Sequence, residues 1–523
     1  MKKSFSIYLF TFTLILGLFC SCSSGPNYGK LIPKDAAVVM SLNIEKTVES
    51  SGLEGEDEIQ EILVKFLKKS DFSRATREKL EEIVEDPDDA GLDLREPVML
   101  FYSPTFKNEF GMAGAVYDAQ KLEDLINIMA REAICNKVNT YGNLRYSVMD
   151  KMVLAFNDSW FFVTERKSNQ MNEEVVLDEI EGLFMQDEEK SLYGTDVYDK
   201  MNECEGFFQM LFQGEGLEDF MKQMPNKQPM MTQLPDGLEI KDFAFLADLT
   251  LEKGEIKFVG ENLALTSAAQ DYMDSFAGIG DIAGDFNAYI PADALFMLSG
   301  NIEGETICNL LGNKEQLKKD LGEENYNLFE KILNSVKGDY ALVMEDIIAG
   351  SDFPEMSLYV QTENSSWVDL ILPHLPMVPE KVGDKEYSLG LYKNGMYNNP
   401  DALTHVAPEA YLKFGVKGGV SYILVGKSPE PFYKVKEGQH SGDGRNLYMR
   451  LNIDDIVNMD VFKEAYGGLA GMVAKQVVKP FDYAELYTEN KTKTTFRIVM
   501  KNKEESPVKV VYNEVFKFIK NFI

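Results

Sequence analysis

The chain has 523 residues and is strongly acidic, with 53 lysines and arginines against 85 aspartates and glutamates and a formal net charge of −32. A surface of this charge repels nucleic-acid phosphates, and no basic stripe offsets it, so nucleic-acid binding is excluded. Hydrophobic residues make up 45% of the chain, which is enough to build cores and excludes a disordered protein. The length predicts about two to four domains.

The start of the chain predicts export and attachment to a membrane. Two lysines precede the apolar run Ile7–Phe19, which has the length of a signal-peptide core and is too short to span a bilayer. The residues after it resemble a bacterial lipoprotein signal, in which a small residue, here Ser21, precedes the modified cysteine. The resemblance implies a signal peptide over residues 1–21, lipidation of Cys22 and a lipid anchor with a polar tether over residues 22–30. It also implies attachment to the outer membrane, facing the periplasm.

The segment after the tether occurs twice in the chain. Leu31–Glu45 reads LIPKDAAVVMSLNIE, and Tyr289–Glu303 reads YIPADALFMLSGNIE. In both halves the segment is followed, in the same order, by a charged helical stretch, two strands and a helix. This repetition predicts two tandem homologous domains, residues 31–276 and 288–523, joined by a linker over residues 277–287. We expect each domain to be α+β, with a largely antiparallel sheet and helices on one face.

Periodicity and turn residues predict the individual elements of the first half. Helical spacing predicts helices at Glu54–Lys69, Thr76–Val84, Gln120–Ala133 and Thr266–Phe276. Apolar runs and alternating patterns predict strands at Val38–Ile44, Val98–Tyr102, Leu144–Val148, Val153–Phe156, Trp160–Thr164, Phe207–Phe212, Phe243–Thr250 and Glu255–Val259. The second half repeats this order and ends in a predicted amphipathic helix, Val508–Ile523.

Three features together resemble a known family. They are the lipoprotein cysteine, the sequence Ile-Pro-Lys-Asp-Ala at Ile32–Ala36, and Gly-Leu-Asp-Leu at Gly91–Leu94 before an apolar strand. This combination resembles large lipoproteins of the Bacteroidetes that are catalogued only as a domain of unknown function. The resemblance implies a match over the whole mature chain and supplies no catalytic residues.

An acidic loop offers the candidate metal ligands. Asp86, Asp88, Asp89 and Asp93 lie close together in sequence, and carboxylate oxygens are the ligands that calcium prefers. Their spacing is not that of an EF-hand loop, and a solvated acidic loop is the competing interpretation. No cofactor is predicted.

The cysteines beyond the leader do not form a framework. Cys135, Cys204 and Cys308 are scattered, so at most one disulfide can join them, and free buried thiols are the competing interpretation. Whether any pair is joined stays open from the sequence.

These observations favour a non-enzymatic binding or envelope-assembly protein, anchored to a membrane by lipid, with an envelope protein as its partner. Two alternatives remain open. One is a carboxylate-based hydrolase, and the other is a binder of a small ligand or calcium, each using a cleft between the two domains.

Overall fold

The structure is a computed structural model of the chain. It describes residues 28–52, 64–65, 67–107, 109–166, 172–214, 216–217, 220, 237–274, 278–310, 314–347, 353–375, 377–392, 407–427, 438, 440, 442–459 and 475–522. The chain divides into two compact units. The first consists of Met1–Met230, Leu234–Ala269 and Asn502–Asn513, and the second of Met231–Gln233, Gln270–Lys501 and Glu514–Ile523.

The first unit is built on an antiparallel sheet. Its strands are β1 Val38–Leu42, β2 Val98–Tyr102, β3 Phe110–Ala115, β4 Asn139–Tyr141, β5 Leu144–Met149, β6 Met152–Phe156, β7 Trp160–Glu165, β8 Phe208–Gln213, β9 Phe243–Glu252 and β10 Glu255–Ala264. They lie in the order β10-β9-β8-β1-β2-β3-β7-β6-β5-β4, and every neighbouring pair is antiparallel. The β9–β10 hairpin turns at Gly254, whose φ of +77° favours glycine.

Helices connect these strands, and their first turns are capped by polar side chains. The helices are α1 Ile44–Ser51, α2 Arg74–Glu85, α3 Ala119–Arg131, α4 Glu173–Phe184, α5 Asp196–Asn202 and α6 Ser267–Asp274. The side chains of Asn43, Ser73, Asp118, Asn172 and Thr195 accept hydrogen bonds from backbone N–H groups at the starts of α1 to α5. Such caps satisfy donors that the helix itself leaves unpaired.

Hydrophobic clusters lie on both faces of this sheet. Phe162 of β7 belongs to a cluster that includes Leu177 and Ile180 of α4. Its neighbour Phe161 belongs to a second cluster, with Leu122 of α3. Successive strand residues point to opposite faces, so the two clusters cover opposite sides. The prediction of helices on one face is therefore wrong for this unit, because the sheet is apolar on both sides and α3 and α4 cover different faces.

The second unit contains another antiparallel sheet. Its strands are β11 Phe296–Glu303, β12 Val336–Ile347, β13 Pro354–Thr362, β14 Glu380–Gly383, β15 Glu386–Leu391, β16 Ala410–Lys417, β17 Val420–Gly426, β18 Leu447–Asn452, β19 Phe481–Glu489 and β20 Lys493–Met500. Their order is β20-β19-β18-β11-β12-β13-β17-β16-β15-β14. Adding ten to each strand number of the first sheet reproduces this order.

The remaining helices accompany the second half of the chain. They are α7 Gly304–Leu310, α8 Lys314–Leu321, α9 Glu323–Leu333, α10 Ser366–Ile371, α11 Ile453–Asn458 and α12 Pro507–Phe522. One core of the unit joins Phe286 and Ile290 to Met297, Val343 and Tyr359 on the sheet.

The α+β class and the largely antiparallel sheet are confirmed. Observed β2 has the predicted bounds, while the predicted helix Glu54–Lys69 lies mostly outside the described residues. Across the described ranges, no helix combines the length and the apolar composition that crossing a bilayer requires.

Candidate functional site

A cavity of about 740 Å³ lies in the first unit, beside the repeated opening segment. Its walls come from parts of the chain that are far apart in sequence. They are Pro33–Asp35 before β1, Pro104–Phe106 after β2, the last turns of α4 with Gln186 and Lys190, Gln213 at the end of β8 with Gly214 and Gly216 after it, and Leu265 after β10. The volume is in the range of pockets that bind small molecules or a protruding group of a partner.

Backbone hydrogen bonds hold the opening segment in the wall. The N–H of Lys34 donates to the carbonyl oxygen of Lys190 at 2.9 Å, and Pro33 forms an isolated bridge with Ser191. The side-chain amide of Gln213 donates to the carbonyl oxygen of Ala36 at 3.2 Å. Gln213 is buried, so this hydrogen bond satisfies a polar group that would otherwise be costly to enclose.

The two carboxylates of the cavity wall are oriented by neighbours. Ser103 donates its hydroxyl to Asp35 at 3.0 Å, and the backbone N–H of Lys107 donates to Glu179 at 3.0 Å. Phe106 is buried and supplies apolar surface, while Lys34 is exposed. The open cavity therefore presents hydrogen-bonded acceptors, two exposed lysines and an apolar patch side by side, which suits binding of an amphiphilic group.

The carboxyl groups with raised pKa values do not line this cavity. Burial raises the pKa of Asp248, which accepts hydrogen bonds from the backbone N–H of Gly206 at 3.0 and 3.2 Å. Burial also raises the pKa of Glu345 in the second unit, and the nearby carboxylates of Glu355 and Asp293 add to the shift. Neither Asp248 nor Glu345 is among the described residues that form the cavity wall.

The strand registers make Asp293 and Glu345 the counterparts of Asp35 and Ser103. Val38 pairs with Tyr102 in the first sheet, and Phe296 pairs with Met344 in the second. Ser103 follows Tyr102, and Glu345 follows Met344, so the hydroxyl that donates to Asp35 in the first unit is replaced by the carboxyl of Glu345 in the second. A hydrogen-bonded pair in one unit thus becomes a pair of acids in the other.

The acidic loop is engaged with basic side chains and backbone. Asp89 forms ion pairs with Lys121 at 2.7 Å and Lys79 at 3.2 Å, and these lower its pKa, with the Lys121 hydrogen bond as the largest cause. Asp86 accepts from the backbone N–H of Asp88 at 3.2 Å.

Asp93 is buried and forms an ion pair with Arg95 at 2.6 Å. A calcium ion would have to compete with these lysines and this arginine for the predicted ligands. Within the described ranges, no group of three or more histidine, cysteine or acidic side chains is arranged to hold a metal.

The Gly-Leu-Asp-Leu segment, which contains Asp93, has a structural role. Gly91 has a φ of +77°, and its carbonyl oxygen accepts from the N–H groups of Tyr117 and Asp118 at 2.9 and 3.1 Å. Leu92 and Leu94 are buried in the cluster that also holds α3. The segment therefore fixes the start of α3 against the sheet.

The cysteines beyond the leader carry free thiols. Cys135 and Cys204 are partly buried and Cys308 is buried, and none of the three is in a disulfide. Burial raises the pKa of the Cys135 thiol, which makes it less reactive. Cys22, the predicted lipidation site, lies outside the described residues.

Sequence reasoning identified one wall of the cavity without recognising the cavity. The repeated segment at Pro33–Asp35 stood out because it recurs, whereas Lys190 and Gln213 carried no signal. The sequence signal that pointed to this wall was the segment with Pro, Asp and Ala that precedes a strand in both halves.

Comparison with known proteins gives one family and distant structural similarities. Crystal form IV of TP0453 is 12% identical, covers 46% of this chain and 81% of that chain, and has a TM-score of 0.27. Crystal form III of TP0453 is 15% identical, covers 48% of this chain and 86% of that chain, with a TM-score of 0.27. Similarity at this level establishes neither fold nor activity.

No curated protein matches the sequence significantly. The family model described as "Domain of unknown function (DUF4836)" matches residues 28–385. The match covers the repeated opening segment, the cavity and the Gly-Leu-Asp-Leu segment, so the resemblance to a family of unknown function is confirmed at that level. Because the match covers more than half of the chain, the protein belongs to the DUF4836 family.

Proposed function

We propose that this protein is a lipid-anchored, non-enzymatic binding protein of the cell envelope. Its first unit would hold a group of an envelope partner in the cavity beside Pro33–Asp35. The observation that carries the proposal is this cavity of about 740 Å³, one wall of which is formed by the repeated opening segment. The lining combines hydrogen-bonded acceptors with an apolar surface.

The proposed location follows from the leader. An apolar run followed by Ser21 and Cys22 favours cleavage after Ser21 and acylation of Cys22, as in lipoproteins of the Bacteroidetes. Multiple acyl chains on one cysteine would anchor the protein stably to one leaflet. Residues 22–30 would then act as a polar tether at the periplasmic face of the outer membrane. Labelling of cells with a palmitate analogue should mark the wild-type protein and not the Cys22→Ser variant.

We further propose that the two units arose by duplication. The matching strand orders support this, as does the repetition of Leu31–Glu45 at Tyr289–Glu303. A third correspondence is independent of these two. Pro33 forms an isolated bridge with Ser191, and Pro291 forms one with Gly438, each in the connection that precedes the same strand of its sheet.

The ligand that suits the cavity best is a protruding amphiphilic segment of a protein. Phe106 and Leu183 offer apolar surface, while Asp35 and Glu179 are held as acceptors for basic or hydroxyl groups. A basic segment also suits the overall acid excess of the chain, because opposite charge steers a partner towards this surface.

The test is a substitution that fills the cavity from its rim. Thr105 is exposed and lines the cavity, so Thr105→Trp would occupy the space with little effect on the core. Thr140 is equally exposed on β4 of the same unit and does not line the cavity, so Thr140→Trp is the matched control. The lipidated proteins would be used to capture partners from solubilised envelopes, and bound small molecules would be identified by mass spectrometry.

We expect a recurrent protein partner with the wild type and with Thr140→Trp, and its loss with Thr105→Trp. If a small molecule is instead bound by the wild type and Thr140→Trp but not by Thr105→Trp, the cavity binds a small ligand and not a protein. Equal capture by all three proteins would contradict a role for this cavity.

A further inference from the structure

The arginines of the second half of the chain are gathered in one place. After residue 269 the sequence contains three arginines, and all of them lie on or beside β18, β19 and β20 of the second unit. They are Arg445, Arg450 and Arg497. In a chain with 85 acidic residues, this concentration of cations on one part of a sheet is unlike the rest of the sequence.

Strand register places these side chains together with tyrosines on one face. Arg450 pairs with Glu485, and Glu485 pairs with Arg497, so the three form a row across neighbouring strands. Tyr448 and Tyr487 form the adjacent row, because residues two apart on a strand share a face. We call this set, with Arg445 and Tyr483, the arginine–tyrosine patch.

Two of the arginines lie over tyrosine rings. The guanidinium carbon of Arg445 is 3.9 Å from the centre of the Tyr487 ring and 5.3 Å from that of Tyr448. The guanidinium carbon of Arg450 is 3.9 Å from the centre of the Tyr483 ring. Stacking occupies the flat face of a guanidinium and leaves the N–H groups at its edge able to donate.

The third arginine neutralises the one acid in the patch. Arg497 donates from Nη2 to Glu485 at 2.6 Å, and the hydroxyl of Tyr448 donates to the other oxygen of Glu485 at 2.5 Å. The side chain of Glu485 is 7% exposed, so this arrangement is enclosed. Arg445 and Arg450 form no ion pair with a carboxylate of the part of the chain that the structure describes. Among the described residues, two positive charges of the patch therefore have no carboxylate partner.

The first unit has apolar side chains at the positions that correspond to this patch. The registers make Leu211 and Leu246 the counterparts of Arg450 and Glu485, and both leucines are buried in the cluster that includes Val197 of α5. A purely structural role is thus met by apolar side chains under a helix. In the second unit Arg450 is only half-buried, so the charged patch calls for another explanation.

We propose that the arginine–tyrosine patch binds phosphoryl groups through Arg445 and Arg450. A guanidinium can donate two parallel hydrogen bonds to a phosphate, so each of the two arginines can hold one phosphoryl group by two of its oxygens. Their stacking on tyrosines fixes both groups before the ligand arrives, which reduces the entropy lost on binding. The phosphoryl group could belong to free phosphate or to a phosphomonoester lipid headgroup.

The experiment uses the full mature chain and two probes. Inorganic phosphate is titrated by calorimetry, and co-sedimentation is measured with phosphatidylcholine vesicles with and without phosphatidic acid. The test variant is Arg445→Gln with Arg450→Gln. The control is Arg131→Gln with Arg77→Gln, which removes the same charge from one exposed and one half-buried position of the first unit. Circular dichroism of each variant checks that the fold is retained.

We expect the double variant at the patch to weaken binding about tenfold or more for each arginine removed, and the control to leave it within about twofold. If the protein binds vesicles that contain phosphatidic acid, and inorganic phosphate displaces it only weakly, the ligand is the lipid headgroup. Binding of inorganic phosphate alone would identify the free ion. The proposal is overturned if the wild type binds neither probe, or if both double variants bind as the wild type does.

Discussion

Gly91→Ala should destabilise the first unit far more than an alanine substitution at another left-handed glycine. A Cβ at Gly91 would lie 2.4 Å from the carbonyl oxygen of Asp118 and 2.4 Å from the backbone nitrogen of Leu122. These are backbone atoms at the start of α3, so they cannot rotate away. Gly214 has a similar φ of +74°, and a Cβ there would meet nothing within 4 Å. It is therefore the matched control.

The expected loss has two parts. A left-handed backbone at a residue with a Cβ costs roughly 1–2 kcal/mol, and both substitutions incur it. Displacing packed structure to admit the extra carbon adds about 1–3 kcal/mol at Gly91 alone. In a unit of this size 1 kcal/mol shifts the melting temperature by about 2–4 °C. Gly91→Ala should thus melt about 2–12 °C below Gly214→Ala.

Differential scanning calorimetry and urea unfolding, followed by circular dichroism, would measure this difference. Gly91→Ala should lower the urea midpoint more than Gly214→Ala while leaving the slope of each transition unchanged. Equal losses in the two variants would mean that Gly91 is needed only for its backbone angle. The account of the Gly-Leu-Asp-Leu segment as a close contact with α3 would then be refuted.

Two further predictions concern burial in each unit. Phe162 is 0% exposed and its ring centroid is 5.9 Å from that of Phe101, so Phe162→Ala should cost about 3–5 kcal/mol in urea unfolding, whereas the half-exposed Phe110→Ala should cost much less. Burial raises the pKa of Glu345, so its contribution to stability is present below the unfolded pKa and is lost as pH rises through the folded pKa. Glu345→Gln should therefore have a larger free energy of unfolding than the wild type at pH 7, and this difference should vanish below about pH 4. A difference in unfolding free energy that is the same at pH 7 and below pH 4 would contradict a raised pKa at Glu345.

Local patterns were enough to predict many of the strands. Val98–Tyr102 is an apolar run bounded by turn residues, and the structure places β2 over the same residues. The hairpin at Gly254 followed from a glycine between two alternating segments, and its left-handed backbone explains why the glycine is there. These predictions succeed because the signal and the structure depend on the same few neighbouring residues.

The faces of the sheet and the cavity could not be predicted in this way. Whether Phe161 and Phe162 face one helix or two depends on where α3 and α4 pack, and this is decided by contacts between distant parts of the chain. The cavity likewise requires Lys190 and Gln213 to meet the opening segment, through hydrogen bonds that leave no pattern in the sequence. The ion pair between Asp89 and Lys121 could not be predicted for the same reason, because the two residues are 32 positions apart in the chain.

The most direct test of the proposed binding role is site-specific photocrosslinking in living cells. A photoreactive amino acid would replace Thr105 at the cavity rim in one strain and Thr140, outside the cavity, in another. We predict that irradiation yields one recurrent adduct with an envelope component from position 105 and none above background from position 140. The same adducts from both positions, or none from either, would contradict a partner bound in this cavity.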